Sequence, residues 1–388
     1  MLEIKTLKAF DDWLKNNATP PAAVQSLDLC SRVDALTGKD FCGSIFLSCV
    51  LCKNSTFTIV QNHGVIIPDS HKLAFPSHRS DLYSVDRLFN GYKGGLIDDY
   101  KTCYDYHVYE EFMRDGKLDT ALDVGLFRYL HDHSITDALY GLIRDRKVVA
   151  VMGGHGMERR DPFYTQIAKL SRQLTQDGYL MVSGGGPGAM EATHLGAYFA
   201  ARPESELLDA ITEISVRPDG AEPDTEYADE DWLKRAWAIR ERYPLSKADI
   251  EACTSIGIPT WFYGHEPPAP FPTHIAKYFS NSIREDGLLM IANHGVIFAP
   301  GSAGTRQEIF QDAAQNHYGS AGQYSPMIML GKDYWTGKAD HKYSFPVWQL
   351  LEQTATEEYR ELLAITDDGD EIVELIKGYE PEAYQSNR

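Results

Sequence analysis

Ser183-Gly-Gly-Gly-Pro-Gly-Ala-Met-Glu-Ala192 and Pro300-Gly-Ser-Ala-Gly-Thr-Arg-Gln-Glu308 each follow an apolar, strand-like run and open a helix-like segment. A strand that stops at glycines lets the backbone approach a ligand closely. The helix that follows points unpaired N–H groups and a positive dipole end at any anion placed there. The two stretches therefore read as cradles for a phosphorylated small molecule.

Outward from them the same rhythm continues. Lys147-Val-Val-Ala-Val-Met-Gly-Gly-His155 is a buried strand running into a glycine turn. A helix over 161–177, a strand over 179–183 and a helix over 189–201 follow. The pattern resumes with a strand over 258–263, a Pro-rich loop over 266–272 and a helix over 273–285. A strand over 295–299, a helix from about Thr305, a strand over 326–330 and a last helical stretch over 347–379 complete it. Such βαβα alternation predicts an α/β fold, a Rossmann-like parallel sheet with helices on both faces, over 147–388. A polar, mostly helical insertion at about 202–252 interrupts it. Pro218, Gly220 and the acidic run from Glu222 to Asp231 make that insertion read as a surface excursion.

Residues 96–146 read as connecting helices, and 1–95 as a smaller N-terminal domain containing β structure. That domain has an amphipathic helix over 3–15 and strand runs over 41–52 and 56–68. Leu36, Phe41, Phe46 and Leu51 recur every five residues, as in one coil of a pentapeptide-type solenoid. Solenoids need several stacked repeats, so plain strand patterning is the expectation.

Composition bounds the ligand. With 388 residues, 43% hydrophobic and 24% charged, the chain can bury a large core. Its formal charge of −19 would repel a nucleic-acid polymer, whereas a small anion needs only a local positive pocket. No stretch approaches the roughly 20 apolar residues of a membrane span, and the start lacks signal-peptide order, so a cytoplasmic location is expected. Cys30, Cys42, Cys49 and Cys52 include one C-x-x-C, but a zinc site needs a second close pair, so a reduced cysteine core is expected.

Gly153-Gly-His-Gly156 lacks the third glycine of a dinucleotide fingerprint and is a weak signal on its own, although its loop falls at the edge of the sheet where ligands bind. Over 184–192 and 300–308 the signal is specific. Gly-Gly-Gly-Pro-Gly-Ala-Met-Glu-Ala followed by Pro-Gly-Ser-Ala-Gly-Thr-x-x-Glu resembles the LOG family, Rossmann-like proteins long labelled lysine decarboxylases. Many of those are phosphoribohydrolases that cut nucleoside 5′-monophosphates, including cytokinin nucleotides, into free base and ribose 5-phosphate. The resemblance covers roughly 147–379, less the insertion.

It implies a homodimer that acts without metal or redox cofactor. Glu308 would be the catalytic carboxylate, stabilising an oxocarbenium-like sugar and activating water. Gly153, Gly154, His155, Gly184, Gly185, Gly186, Gly188, Met190 and Glu191 would surround the nucleotide. Pro300, Gly301, Ser302, Ala303, Gly304 and Thr305 would hold its phosphate. The family's arginine before the phosphate-loop strand falls on Glu285, and the nearest arginine is Arg284. On a helix over 273–285, Lys277, Asn281 and Arg284 would share a polar face, with Arg284 assisting at the sugar or phosphate. Ser302 stands where the family commonly has glycine. The same loops also suit a nonhydrolytic nucleotide or pterin-cofactor binder, a sensor or carrier.

Overall fold

The computed structural model describes residues 1–16, 20–70, 72–118, 120–216, 226–227 and 229–384. The chain divides into two compact units, Met1–Leu82 with Glu110–Leu142, and Tyr83–Tyr109 with Ile143–Arg388. The stretch read as connecting helices is thus shared out between them.

The first unit contains four short parallel strands that pair in chain order, β1 (Leu2–Ile4), β2 (Ala22–Gln25), β3 (Ile45–Leu47) and β4 (Val65–Ile67). Helices α1 (Leu7–Leu14), α2 (Val33–Leu36) and α3 (Lys53–Gln61) connect them. Register pairs Leu2 with Ala22, Ala23 with Ile45 and Ile45 with Val65, which are 20, 22 and 20 residues apart. The arrangement is a coil after all, with this longer period rather than five. Phe10, Trp13, Val24, Leu29, Phe41 and Phe46 fill its interior. Residues 56–61, expected inside a strand run, belong to the helix α3. Cys30 and Cys42 are exposed and Cys49 and Cys52 half-buried, so the expected cysteine core does not form.

The second unit carries the expected parallel sheet, flanked by helices. Its strands are β5 (Lys147–Met152), β6 (Tyr179–Ser183), β7 (Ser255–Gly257), β8 (His274–Ile275), β9 (Val296–Phe298), β10 (Met327–Leu330) and β11 (Leu363–Thr366). Their order is β11-β10-β9-β5-β6-β7-β8. Residues of both alternating sets on β5, Val148 and Ala150 as well as Val149 and Val151, are fully buried, so both faces of the sheet are covered. On one side α4 (Pro162–Gln176) and α5 (Ala189–Tyr198) pack against β6. Asp161 caps α4, its carboxylate accepting from the Phe163 amide at 2.8 Å, and Pro162 supplies a pre-set first turn. Ile167, Leu170 and Leu174 form the buried stripe of α4, each worth roughly 1.5–3 kcal/mol of apolar burial.

Three expectations change here. The insertion is no surface excursion where it is described: α6 (Glu204–Ile214) and α7 (Trp232–Arg242) bury Leu207, Ile211, Ile214, Trp232, Leu233 and Ile239. Glu226 of its acidic run is also buried. Pro218, Gly220 and 222–225 lie outside the described residues. The helix expected over 273–285 begins only at α8 (Asn281–Met290), capped by Ser280. Ahead of it the backbone is claimed by long-range partners: Ile275 exchanges hydrogen bonds with Tyr83, and Ala276 N donates to Gly257 O. Finally, the stretch over 347–379 is broken by β11, which pairs with β10, before α10 (Gly369–Lys377). Between β9 and β10 in sequence lies α9 (Ala303–Tyr318).

Candidate functional site

From β5 the chain winds outward to β8 in one direction. It then returns to the other flank of β5 and continues outward from β9 to β11. The crevice beyond the carboxyl ends of β5 and β9 is therefore the topological switch point, where sheets of this kind bind ligands. Gly153 and Gly154 leave β5 there, and Pro300 and Gly301 leave β9. The Gly154 amide donates to Pro300 O at 3.1 Å, and Gly154 O accepts from the Ala189 amide at 3.2 Å. All three glycine turns are thus tied into one platform.

A cavity of about 250 Å³ opens on that platform. Of the residues expected from sequence, Gly153, Gly154, His155, Gly184, Met190, Arg284, Ser302, Gly304, Thr305 and Glu308 line it. Pro300 and Gly301 line an adjoining cavity instead, together with Gly154, His155 and Ser302. Ser302 precedes the first turn of α9 but makes no side-chain cap, so its hydroxyl is left for the cavity.

Six expected residues line neither cavity. Gly185 accepts from the Ala269 amide at 2.9 Å, and Gly186 packs against the Met190 methyl. Gly188 has φ +70° and lies so close to Gly154 O that a Cβ would stand 2.4 Å from it. Its place is one that glycine alone fills. Ala303 begins α9 and is exposed.

Glu191, expected at the ligand, is fully buried and committed elsewhere. Arg159 donates to its two oxygens at 2.8 and 2.5 Å, and the Tyr164 hydroxyl adds a third bond at 2.9 Å. The Arg159 guanidinium also lies 4.7 Å from the Trp232 ring centre, and its backbone amide donates to Glu226 at 2.8 Å. This knot anchors α5 from behind. Asn281 donates to Glu285 at 2.7 Å rather than facing the cavity.

Lys277 is the clearest departure from the expected polar face. It is 1% exposed and paired with the buried Asp105 at 3.0 Å, which also accepts from Trp261 Nε1 at 2.8 Å and the Tyr100 hydroxyl at 2.6 Å.

Arg284 does reach the site. One of its terminal nitrogens is 3.6 Å from Glu308 Oε1, and both side chains are largely buried. Its Nε is buried with no hydrogen-bond partner among the described residues. Burial pushes the Glu308 carboxyl up to about 7; Arg284 opposes that rise and Glu285 adds to it. A carboxyl poised near neutrality, in a cavity beside a phosphate-type cradle, can exchange a proton with water or a leaving group. One turn further on, Asp312 is pushed up to about 8 by burial, and its Oδ2 has no partner.

Tyr263, Glu266 and Glu285 also line the first cavity, and Phe163, Tyr334, His341, Lys342 and Tyr343 the second. The sequence reading matches Glu285 to the family's arginine position and places none of the others at a ligand. The signal available was positional: Glu266 follows β7 and Tyr334 follows β10, both at the carboxyl edge of the sheet. His194, buried between Ser183 Oγ at 2.7 Å and Ser255 Oγ at 3.0 Å, is pushed down to about 3 by burial and braces β6 against β7. Among the described residues no group of three His, Cys, Asp or Glu side chains could hold a metal ion, and no helix is long and apolar enough to cross a membrane.

Sheet order, switch point and glycine platform define a Rossmann-like α/β protein. No family model and no curated protein matches the chain. Among solved structures, it is similar to the molybdenum cofactor binding protein of the phototrophic bacterium Rippkaea orientalis. Identity is 15% over 60% of this chain and 97% of that one, with a TM-score of 0.37. The molybdenum cofactor carrier protein of Chlamydomonas reinhardtii is 12% identical over 60% and 96%, with a TM-score of 0.34. The structural-genomics target TM1055 is 19% identical over 60% and 99%, with a TM-score of 0.37.

Proposed function

We propose that this chain hydrolyses the N-glycosidic bond of a nucleoside 5′-monophosphate, releasing free base and ribose 5-phosphate, as its motif resemblance to the LOG family implies. The observation that carries this reading is Glu308, a carboxyl held near neutrality in the cavity where the glycine turns meet. The phosphate lies at the start of α9, against the backbone N–H groups around Gly304 and the Thr305 hydroxyl. Glu308 in its ionised form faces C1′ of the sugar, stabilises the positive charge that develops as the base departs, and takes a proton from the attacking water. The departing base takes a proton at its ring nitrogen from solvent water, and Glu308 gives the proton it accepted back to solvent. Arg284 holds the Glu308 carboxylate in place and lowers the cost of its ionisation. The same resemblance carries a homodimer, which light scattering on the purified protein would measure.

The test is release of free base from a panel of nucleoside 5′-monophosphates by the wild type and by Glu308→Gln. We expect release by the wild type, a loss of about 10²–10⁴-fold in the variant, and unchanged nucleotide binding.

A second reading, a nonhydrolytic binder of a nucleotide or pterin-type cofactor, is favoured by one observation. Glu285 occupies the position of the family's arginine and lines the same cavity as Glu308, leaving Arg284 already committed to an ion pair. Binding without base release by the wild type across the panel would select this reading.

A further inference from the structure

The second cavity, about 350 Å³, shares Gly154, His155 and Ser302 with the first, so the two adjoin across the platform. Their chemistry is opposite. The first carries Glu266, Glu285 and Glu308 with Arg284; the second carries the rings of Phe163, Tyr334 and Tyr343 beside His341 and Lys342. Asp161 also lines the second, but its carboxylate is engaged in capping α4.

The outer wall of the second cavity is a built element. An antiparallel bridge between Thr336 and Pro346 closes the segment between them, and the Ser344 hydroxyl donates to Tyr334 O at 2.9 Å. Arg306, in the first turn of α9, lies 4.6 Å from the Phe345 ring centre and 6.0 Å from that of Tyr343. The Tyr334 hydroxyl donates to Gly301 O at 2.7 Å. The aromatic wall is therefore fastened to the phosphate loop itself. Taken alone, the first cavity is below the ~300–1,000 Å³ of ordinary ligand pockets; with the second it is well inside that range.

We infer that the site takes an extended ligand, a nucleoside diphosphate conjugate, more tightly than a free monophosphate. Its phosphates lie on the shared platform, its nucleoside enters the acidic cavity, and its second group stacks on Tyr343 within reach of Lys342. This rests on the reading that the platform holds a nucleoside 5′-phosphate, and specifies what that phosphate carries.

Calorimetric titration with the pairs AMP and ADP-ribose, and UMP and UDP-glucose, tests it on the wild type, Tyr343→Ala and Lys342→Ala. For one base, the conjugate is expected to bind at least about tenfold more tightly than the monophosphate, the scale of one stacked group. Each variant should reduce that advantage several-fold while leaving monophosphate affinity within about twofold. Should the monophosphate bind and its conjugate bind no better, or should the advantage survive both substitutions, the inference falls and the phosphate reading stands. If no member of either pair binds a chain that circular dichroism finds folded, both fall.

Discussion

At the scale of single residues, two buried acids on α9 have different consequences. For Glu308 the ionised form is the working one, so kcat/KM for base release should climb as pH rises through about 7. Arg284→Ala removes the charge that holds this carboxyl down, and the rising limb should move to higher pH; a pH–rate profile of the two proteins checks it. Asp312 has no partner for Oδ2 and takes part in no step proposed above. Its folded value of about 8 exceeds the ordinary 3.8, so the unfolded chain holds fewer protons between these limits and stability falls as pH rises through them. The loss begins above about 4 and is complete near 8. Asp312→Asn should therefore raise the unfolding free energy by a few kcal/mol at pH 8, on the order of what such a shift implies, and by much less at pH 5. Denaturant titrations at the two pH values measure the difference.

At the scale of elements, the glycine turns separate structure from recognition. Gly188→Ala places a methyl against the Gly154 and His155 carbonyls at a backbone angle only glycine tolerates, and should cost at least about 2 kcal/mol with a clear fall in melting temperature. Gly304→Ala meets no atom within 4 Å, and should hold or slightly raise stability while nucleotide affinity drops tenfold or more. Thermal unfolding and calorimetry on the two variants separate the roles. The glycine turns, β5, β6 and α4 were legible because each is a local pattern: an apolar run, a cap, a stop. The stretch around Lys277 was not. Its alternation suits a polar helix face, and what decides it is Tyr83, 192 residues before Ile275, and Asp105, 172 residues before Lys277, both invisible to periodicity. Glu191 misled for a related reason, since its partner Arg159 lies 32 residues upstream, outside any local pattern, and the pair is buried. Of the site, the backbone cradle was readable. Glu308 and Arg284 were readable with it, whereas Glu266, His341, Lys342 and Tyr343 stand on loops whose place at the sheet edge depends on strand order.

At the scale of the whole molecule, the two units interleave along the chain, because Tyr83–Tyr109 belongs with the sheet and Glu110–Leu142 with the coil. A fragment of 147–388, the natural cut from sequence, would strip Asp105 from Lys277 and leave a buried ammonium alone. Losing one partner of such a pair costs about 3–5 kcal/mol. We expect that fragment to be insoluble or poorly folded, and Asp105→Asn in the full chain to lower the melting temperature in the same direction; expression and thermal scans check both. The formal charge of −19 bears on partners at this scale too, since it repels a nucleic-acid polymer whereas a small anion needs only a local cradle.

The coil of the first unit has a different kind of consequence. Among the described residues each strand there pairs with the strand one turn before or after it, so the pairing itself sets no length for the stack. Its extent is a counted quantity. Evolution can lengthen or shorten it by a whole winding of 20 to 22 residues, as a column gains or loses a drum, and leave the glycine platform of the other unit untouched.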